Sequence, residues 1–200
     1  MSARREYFDS LAEEWDSRVQ HDPEKIKKLL DLGDLAPGQA VLDCGCGTGI
    51  LIPYILKKIG SQGLLFAVDF SPSMVSVAHR KFPRERYPNV YFLVSDIMEL
   101  DLALLFDRVI CYSSFPHFVD QRGALRKMAR MLKDEGRIII CHSEGREKIN
   151  ERHRSIEAVS SDILPSSEEI SRWMDEEGLE VELKIENEEI FFVKARLSKV

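Results

Sequence analysis

The sequence predicts an α/β fold: a doubly wound, mixed sheet of about seven strands that ends in an antiparallel C-terminal edge hairpin. Three features predict it. The strand-like segments before position 145 are apolar along their whole length, as in strands covered on both faces. Helix-like segments separate them, the pattern of a parallel sheet built from βαβ units. The last two strand-like segments are joined only by Glu186-Asn187-Glu188-Glu189, a hairpin connection.

Positions 1–20 read as an amphipathic helix, with Tyr7, Phe8, Leu11, Trp15 and Val19 near one face. A second helix runs from Pro23 to about Leu32, with Pro23 in its first turn, and Pro37-Gly38 makes a turn. Ala40-Val41-Leu42-Asp43 is a short apolar strand that runs into glycines. Ile50 to Ile59 is a helix ended by Gly60 and Gly63, and Leu64 to Val68 a strand with Asp69 at its end. Ser71 to Phe82 is a helix, because Ser71 suits the cap and Pro72 the first turn. Val90 to Val94 and Phe106 to Tyr112 are the third and fourth strands; Asp96 lies just past the third. A helix over Val119–Leu132, with Gly136 as its terminating residue, leads to a strand over Arg137–Cys141. Glu168 to Glu176 is a helix, and Leu179–Ile185 and Ile190–Leu197 form the hairpin.

Two hundred residues make one domain, 1–200, with a helical cover at 1–32 and a longer connection at 143–166 that caps the site. The net charge of −6 argues against nucleic acid or an anionic membrane surface as partner. No apolar run reaches the ~18 residues of a membrane span, and the first residues, Met1-Ser2-Ala3-Arg4-Arg5, hold no apolar signal core, so a cytoplasmic location is expected. Four cysteines do not make a disulfide scaffold.

In open α/β sheets ligands bind beyond the carboxyl ends of the strands. Three of those ends carry an aspartate, Asp43, Asp69 and Asp96, and the first opens into Cys44-Gly45-Cys46-Gly47-Thr48-Gly49. Glycines at 45, 47 and 49 let backbone approach a ligand closely. A dinucleotide fingerprint needs glycine or alanine at position 50, where the chain has Ile50, and a phosphate-binding P-loop needs Gly-Lys-Ser/Thr, which is missing. No Lys or Arg occurs between Ala40 and Tyr54. A pyrophosphate there meets the Asp43 carboxylate unneutralised, whereas an ammonium or sulfonium group gains from it. Asp69 suits a ribose diol and Asp96 an exocyclic amine, so the ligand is a nucleoside with a positively charged tail.

These segments resemble the class I S-adenosylmethionine-dependent methyltransferases. Val41-Leu42-Asp43-Cys44-Gly45-Cys46-Gly47-Thr48-Gly49 is similar to the first motif of that family, and Phe66-Ala67-Val68-Asp69-Phe70-Ser71-Pro72-Ser73-Met74 to the second. Ser95-Asp96-Ile97 resembles the third and Phe106-Asp107-Arg108-Val109-Ile110-Cys111 the fourth. Leu132-Lys133-Asp134-Glu135-Gly136-Arg137 resembles the turn into the fifth strand. The match covers about residues 37 to 142 and is nearest the small-molecule group that includes the ubiquinone and menaquinone methyltransferases. It implies a Rossmann-like fold and S-adenosyl-L-methionine as cofactor. It also implies that Asp43 and the loop with Gly45, Cys46, Gly47 and Gly49 hold the methionine end. Asp69 is then at the ribose, Phe70 and Met74 flank the adenine, Asp96 and the Ile97 amide read its edge, and the Cys111 carbonyl lies near the methionine amine. Cys44 departs from the family's usual aliphatic residue.

Three histidines follow strand ends or the segment beyond them, His117, His142 and His153, and are candidate bases for an acceptor that must lose a proton. Positioning alone also accelerates an in-line methyl transfer. Neither a cysteine cluster (Cys44, Cys46, Cys111, Cys141) nor the histidines with Asp162 have the tight spacing of a metal site, so no metal is expected. The reading is a methyltransferase for a small-molecule acceptor that offers O, N, S or C. The alternatives are a non-catalytic S-adenosylmethionine-binding regulatory or partner subunit and a nicotinamide-dependent oxidoreductase. The acceptor and the oligomeric state are not legible.

Overall fold

A computed structural model describes residues 3–198; the first two residues of the expected 1–20 helix and the last two of the 1–200 domain lie outside them. The chain begins with α1 (Ala3–Leu11), α2 (Trp15–Arg18) and α3 (Pro23–Leu32). It continues through β1 (Ala40–Cys44), α4 (Ile52–Ile59), β2 (Leu64–Asp69), α5 (Pro72–Lys81) and β3 (Val90–Val94). Then come β4 (Phe106–Tyr112), α6 (Gln121–Ala129), β5 (Leu132–His142), α7 (Arg146–Arg154), α8 (Ser167–Glu176), β6 (Leu179–Glu186) and β7 (Phe191–Leu197).

The strands form one seven-stranded sheet in the order β3-β2-β1-β4-β5-β7-β6. The first five pair in parallel, and β7 and β6 are antiparallel. The order reverses between β2-β1 and β4, so the carboxyl ends of β1, β2 and β4 open onto the crevice where ligands bind in such sheets. This is the Rossmann-like fold that the sequence implies. The hairpin enters with β7 against β5 and leaves β6 at the edge, which carries alternating charges (Glu180, Glu182, Lys184) suited to an unpaired strand.

Strand alternation divides the core. Leu42, Val109 and Ile140 face the layer that holds Leu125 and Met128 of α6 and Ile170 and Met174 of α8. Val41, Ile110 and Ile139 face the layer that holds Leu29 of α3 and Ile55 of α4. The caps expected from sequence form: the Ser71 side chain accepts from the Met74 N–H, and Asp22, before Pro23, accepts from the Glu24 and Lys25 N–H groups.

Several elements depart from the sequence reading. The N-terminal helix breaks after Leu11 and resumes at Trp15, so that Asp16 accepts from the Thr48 hydroxyl at 2.5 Å. The helix before β5 ends at Ala129, and Gly136 lies inside β5 rather than past a helix. There a Cβ would stand 2.7 Å from the Phe106 carbonyl oxygen, at the register shift between Phe106 and Arg108. Single turns at Phe115–His117 and Glu157–Val159 carry no sequence signal that marks them.

Candidate active site

A cavity of about 540 Å³ lies across the carboxyl ends of the strands, within the ~300–1,000 Å³ of small-molecule sites. Its floor is the loop after β1. The Gly45 and Cys46 N–H groups donate to the Val68 carbonyl at 2.8 and 3.0 Å, which ties the loop to the end of β2. Gly45 has φ +79° and its α-carbon faces Ser114 so closely that a Cβ would stand 2.3 Å from the Ser114 Cβ. Gly49 has φ +85° and packs over Ile52 of α4. Both positions need glycine for backbone conformation and space together.

Asp69 is held by backbone: Oδ2 accepts from the Gly47 N–H at 2.8 Å and Oδ1 from the Ser71 N–H at 2.9 Å. Burial raises its pKa and these donors work against that shift. Each oxygen keeps acceptor capacity for a diol. Asp43 is fully buried, and its Oδ2 has no hydrogen-bond partner. Burial, with the charge of Asp69 second, pushes its pKa up to about 7. Asp43 buried beside Asp69 stores electrostatic cost that a cationic ligand relieves.

Gly45, Cys46, Gly47, Asp69, Phe70, Met74, Asp96 and Ile97 line the cavity. Asp43, Gly49 and Cys111 stand behind the wall: Asp43 and Cys111 are buried, Gly49 packs on Ile52, and the Cys111 thiol meets the Met128 sulfur at 3.4 Å. The residues of β4 that reach the cavity are Tyr112 and the following Ser113 and Ser114. Asp96 accepts from the Met98 N–H through Oδ1 at 2.9 Å. The four cysteines are buried free thiols.

Side chains of α1 and α2 roof the cavity. Tyr7, Phe8, Leu11, Trp15 and Val19 all line it despite the helix break. Phe8 sets its ring edge-on to Phe70 at 5.8 Å and to His117 at 5.0 Å. Asp9 accepts from the Ser71 hydroxyl at 2.5 Å, which pins α1 on the start of α5.

The structure brings all three predicted histidines to one end of this cavity, in different states. His142 is buried against Phe191, and burial drives its pKa down to about 3, with His117 and His153 adding to the fall. His117 meets Asp162 through Nδ1 at 2.7 Å. His153 donates through Nδ1 to the Asp162 carbonyl at 2.6 Å, and its pKa is lowered, chiefly by burial. The rings of His117 and His153 lie 4.9 Å apart. Asn150 of α7 fixes the segment carrying Asp162: its Nδ2 donates to the Leu164 carbonyl at 3.0 Å and its Oδ1 accepts from the Leu164 N–H at 2.8 Å. His21 Nδ1 donates to the Tyr112 hydroxyl at 2.7 Å, and that hydroxyl donates to Ser143 Oγ, next to His142, at 2.8 Å. Sequence reasoning missed Arg4, His21, Tyr112 and Asn150, which sit in no motif.

Comparison with known proteins agrees with this geometry. Residues 35–182 match the family model described as a methyltransferase domain. The chain is 30% identical over 153 residues to a malonyl-[acyl-carrier protein] O-methyltransferase of Acetivibrio thermocellus, covering 76% of this chain and 52% of that one. It is 30% identical over 142 residues to a demethylmenaquinone methyltransferase of Lactococcus lactis, covering 68% and 56%. It thus spans about half the length of these curated relatives. The solved N-methyltransferase NodS of Bradyrhizobium japonicum has the same fold, with a TM-score of 0.75 at 18% identity over 99% of this chain and 100% of that one. With a family match that runs from before β1 into β6, the chain belongs to the methyltransferase-domain family.

Proposed function

We propose that this protein transfers a methyl group from S-adenosylmethionine to a small-molecule acceptor. The observation that carries the reading is the pair of buried carboxylates around the glycine loop, with the Asp43 Oδ2 unpartnered and no Lys or Arg between Ala40 and Tyr54. Such a site selects a ligand that is cationic at the loop and polar at the end of β2. S-adenosylmethionine, when bound, supplies a methyl group on a cationic sulfur.

The loop with Gly45, Cys46 and Gly47 receives the amino-acid end, with Asp43 and Gly49 behind it. The lone pairs left on Asp69 take the ribose hydroxyls. Phe70 and Met74 give the base an apolar berth, and Asp96 with the Ile97 amide reads its edge. Cys111 contributes from behind the wall, by backing the end of β4. The cover 1–32 excludes water, and the cap 143–166 holds the acceptor beside His117, His142 and His153. Curated relatives named for demethylmenaquinone and aklanonic acid support a small acceptor. The net charge of −6 disfavours a nucleic-acid acceptor, and we place the enzyme in the cytoplasm.

Calorimetric titration with S-adenosylmethionine, S-adenosylhomocysteine and NADH tests this. Micromolar binding of the first two, lost in Asp69→Ala, is expected. Tight NADH binding instead makes the chain an oxidoreductase. Binding without turnover on any acceptor makes it a partner subunit.

A further inference from the structure

We infer that His117 is the catalytic base, that Asp162 is its positioning residue, and that the acceptor is a neutral molecule bearing a phenol- or enol-type hydroxyl. The inference rests on the function proposed above. Its first observation is the Asp162 carboxylate, whose side chain is 1% exposed. Oδ2 accepts from Arg4 Nε at 2.8 Å and from His117 Nδ1 at 2.7 Å, and Oδ1 accepts from the Arg4 guanidinium. Burial disfavours the ionised form, but His117 and Arg4 outweigh it and hold Asp162 below the usual carboxylate range.

An ionised carboxylate only accepts, so His117 Nδ1 carries hydrogen. In the neutral ring the bare lone pair is therefore on Nε2, the nitrogen left for the cavity that His117 lines. The groups that face His117 come from every side: Arg4 and Phe8 from α1, Asp69 from β2, His142 from β5, His153 from α7. Of these, Arg4 is committed to Asp162, His142 is held uncharged by burial, and His153 Nδ1 is committed to the Asp162 carbonyl. Of the three histidines at this end, only His117 has a carboxylate behind the ring among the described residues, the arrangement by which an orienting acid fixes the tautomer of a general base.

The same cluster selects the acceptor. A carboxylate acceptor is already ionised and needs a cation. Of the arginines lining the cavity, Arg4 is bound to Asp162, Arg152 to Glu144 and Arg18 to Glu14. An amine attacks as its free base and sheds its proton afterwards. A hydroxyl is the group whose nucleophilicity rises most when a positioned base removes its proton. In the step, His117 Nε2 takes the hydroxyl proton. The oxygen's electron pair forms the new O–CH3 bond, the S–CH3 bond breaks with its pair left on sulfur, and the imidazolium returns the proton to water.

The test uses the whole protein and starts without cofactor. Long-range 1H–15N spectra of the ring nitrogens at pH 9 are expected to show His117 in its Nδ1–H tautomer. In Asp162→Ala the Nε2–H tautomer is expected to become populated. A wild-type Nε2–H tautomer overturns the inference, whatever the variant does. The second arm titrates 1-naphthol, 1-naphthoate and 1-naphthylmethylamine into the S-adenosylhomocysteine complex. Naphthol is expected to bind at least tenfold more tightly than naphthoate; equal or reversed order, or no binding of any, overturns the acceptor class. In single-turnover methylation of 1-naphthol, His117→Gln is expected to lose ~100-fold or more in rate while it still binds S-adenosylhomocysteine; an unchanged rate overturns the base. Failure of the complex to form at all removes the proposed function and leaves the tautomer result standing by itself.

Discussion

The two ends of the cavity are built by opposite means. The cofactor end is backbone: the loop after β1, the turn after β2 and their N–H donors hold Asp69 within a stretch of chain from Ala40 to Met74. The acceptor end is side chains from distant elements: Arg4 reaches Asp162 across 158 positions and His117 across 45. A site made of local backbone tolerates little change in shape, while a site made of side chains tolerates change in identity. The variants that follow are ordered by how hard they press on that contrast.

Gly45→Val presses hardest. It combines φ +79° with a Cβ at 2.3 Å from Ser114. Left-handed strain of ~1–3 kcal/mol adds to overpacking of ~1–3 kcal/mol, so a loss of about 4 kcal/mol is expected in urea unfolding. Gly47→Ala, at φ +52° with open space beyond it, is expected to lose only the strain, about 1 kcal/mol. Equal losses would show that conformation, rather than packing on Ser114, fixes the loop.

The contrast extends to pH. Asp43 has a folded pKa raised to about 7, against an unfolded value near ~3.9. The folded state therefore binds more protons across that window, and stability falls as pH rises through it. Asp43→Asn is expected to be more stable than wild type at pH 8, on the order of 2–4 kcal/mol in the cofactor-free protein, yet to bind S-adenosylmethionine more weakly. His142 has the opposite sign. Its folded pKa is depressed to about 3, so its stabilising contribution is full above ~6.5 and is lost as pH falls toward the folded value. His142→Phe is expected to flatten the acid limb of the stability curve, and Asp43→Asn the neutral one. A shared slope change in both variants would break the assignment.

The same contrast explains what the sequence made legible. The parallel strands and Asp43, Asp69 and Asp96 at strand ends follow from local signals: apolar runs, Ser71-Pro72 and Asp22-Pro23 caps, and a glycine loop after a strand. Gly136 misled because a glycine after a helical stretch is a common stop signal, whereas here close approach to the Phe106 carbonyl requires it. Asp162, Arg4 and Asn150 are ordinary polar residues in sequence; only the tertiary path of the cap and the cover brings them together. The break at 12–14 is likewise tertiary, since Asp16 turns toward Thr48 and Lys81.

Asn150→Ala probes the frame of the acceptor end. Asn150 is 1% exposed and satisfies both the carbonyl and the N–H of Leu164. Truncation leaves two buried backbone groups unpaired at ~1–3 kcal/mol each before relaxation or water entry, and a net loss of about 2 kcal/mol is expected. Amide exchange is expected to rise over 156–165 and to stay unchanged over the loop after β1. Faster exchange at Gly45–Gly49 would mean that the two ends fold as one unit.

Arg4→Ala is the mildest change and the most direct test of how cover and cap are joined. Arg4 is 20% exposed while its partner Asp162 is 1% exposed, so removal leaves a buried carboxylate with the His117 Nδ1–H as its remaining side-chain partner. Solvent reaches the arginine side, which limits the cost to about 1 kcal/mol. The informative quantity is the coupling rather than the loss. In a cycle with Asp162→Ala the two residues are expected to couple by ~0.5–1 kcal/mol, because each variant alone breaks the same contact. Arg4→Ala with Glu13→Ala, whose partner is Arg80 on α5, is expected to be additive, since the second pair is exposed and anchors the cover to the cofactor end. Coupling in the first cycle and additivity in the second would place the link between the two ends in α1, which touches both α5 and the turn at Glu157–Val159; additivity in both would leave the cover joined to the cap by the apolar packing of Phe8 and Ala12 on Val159.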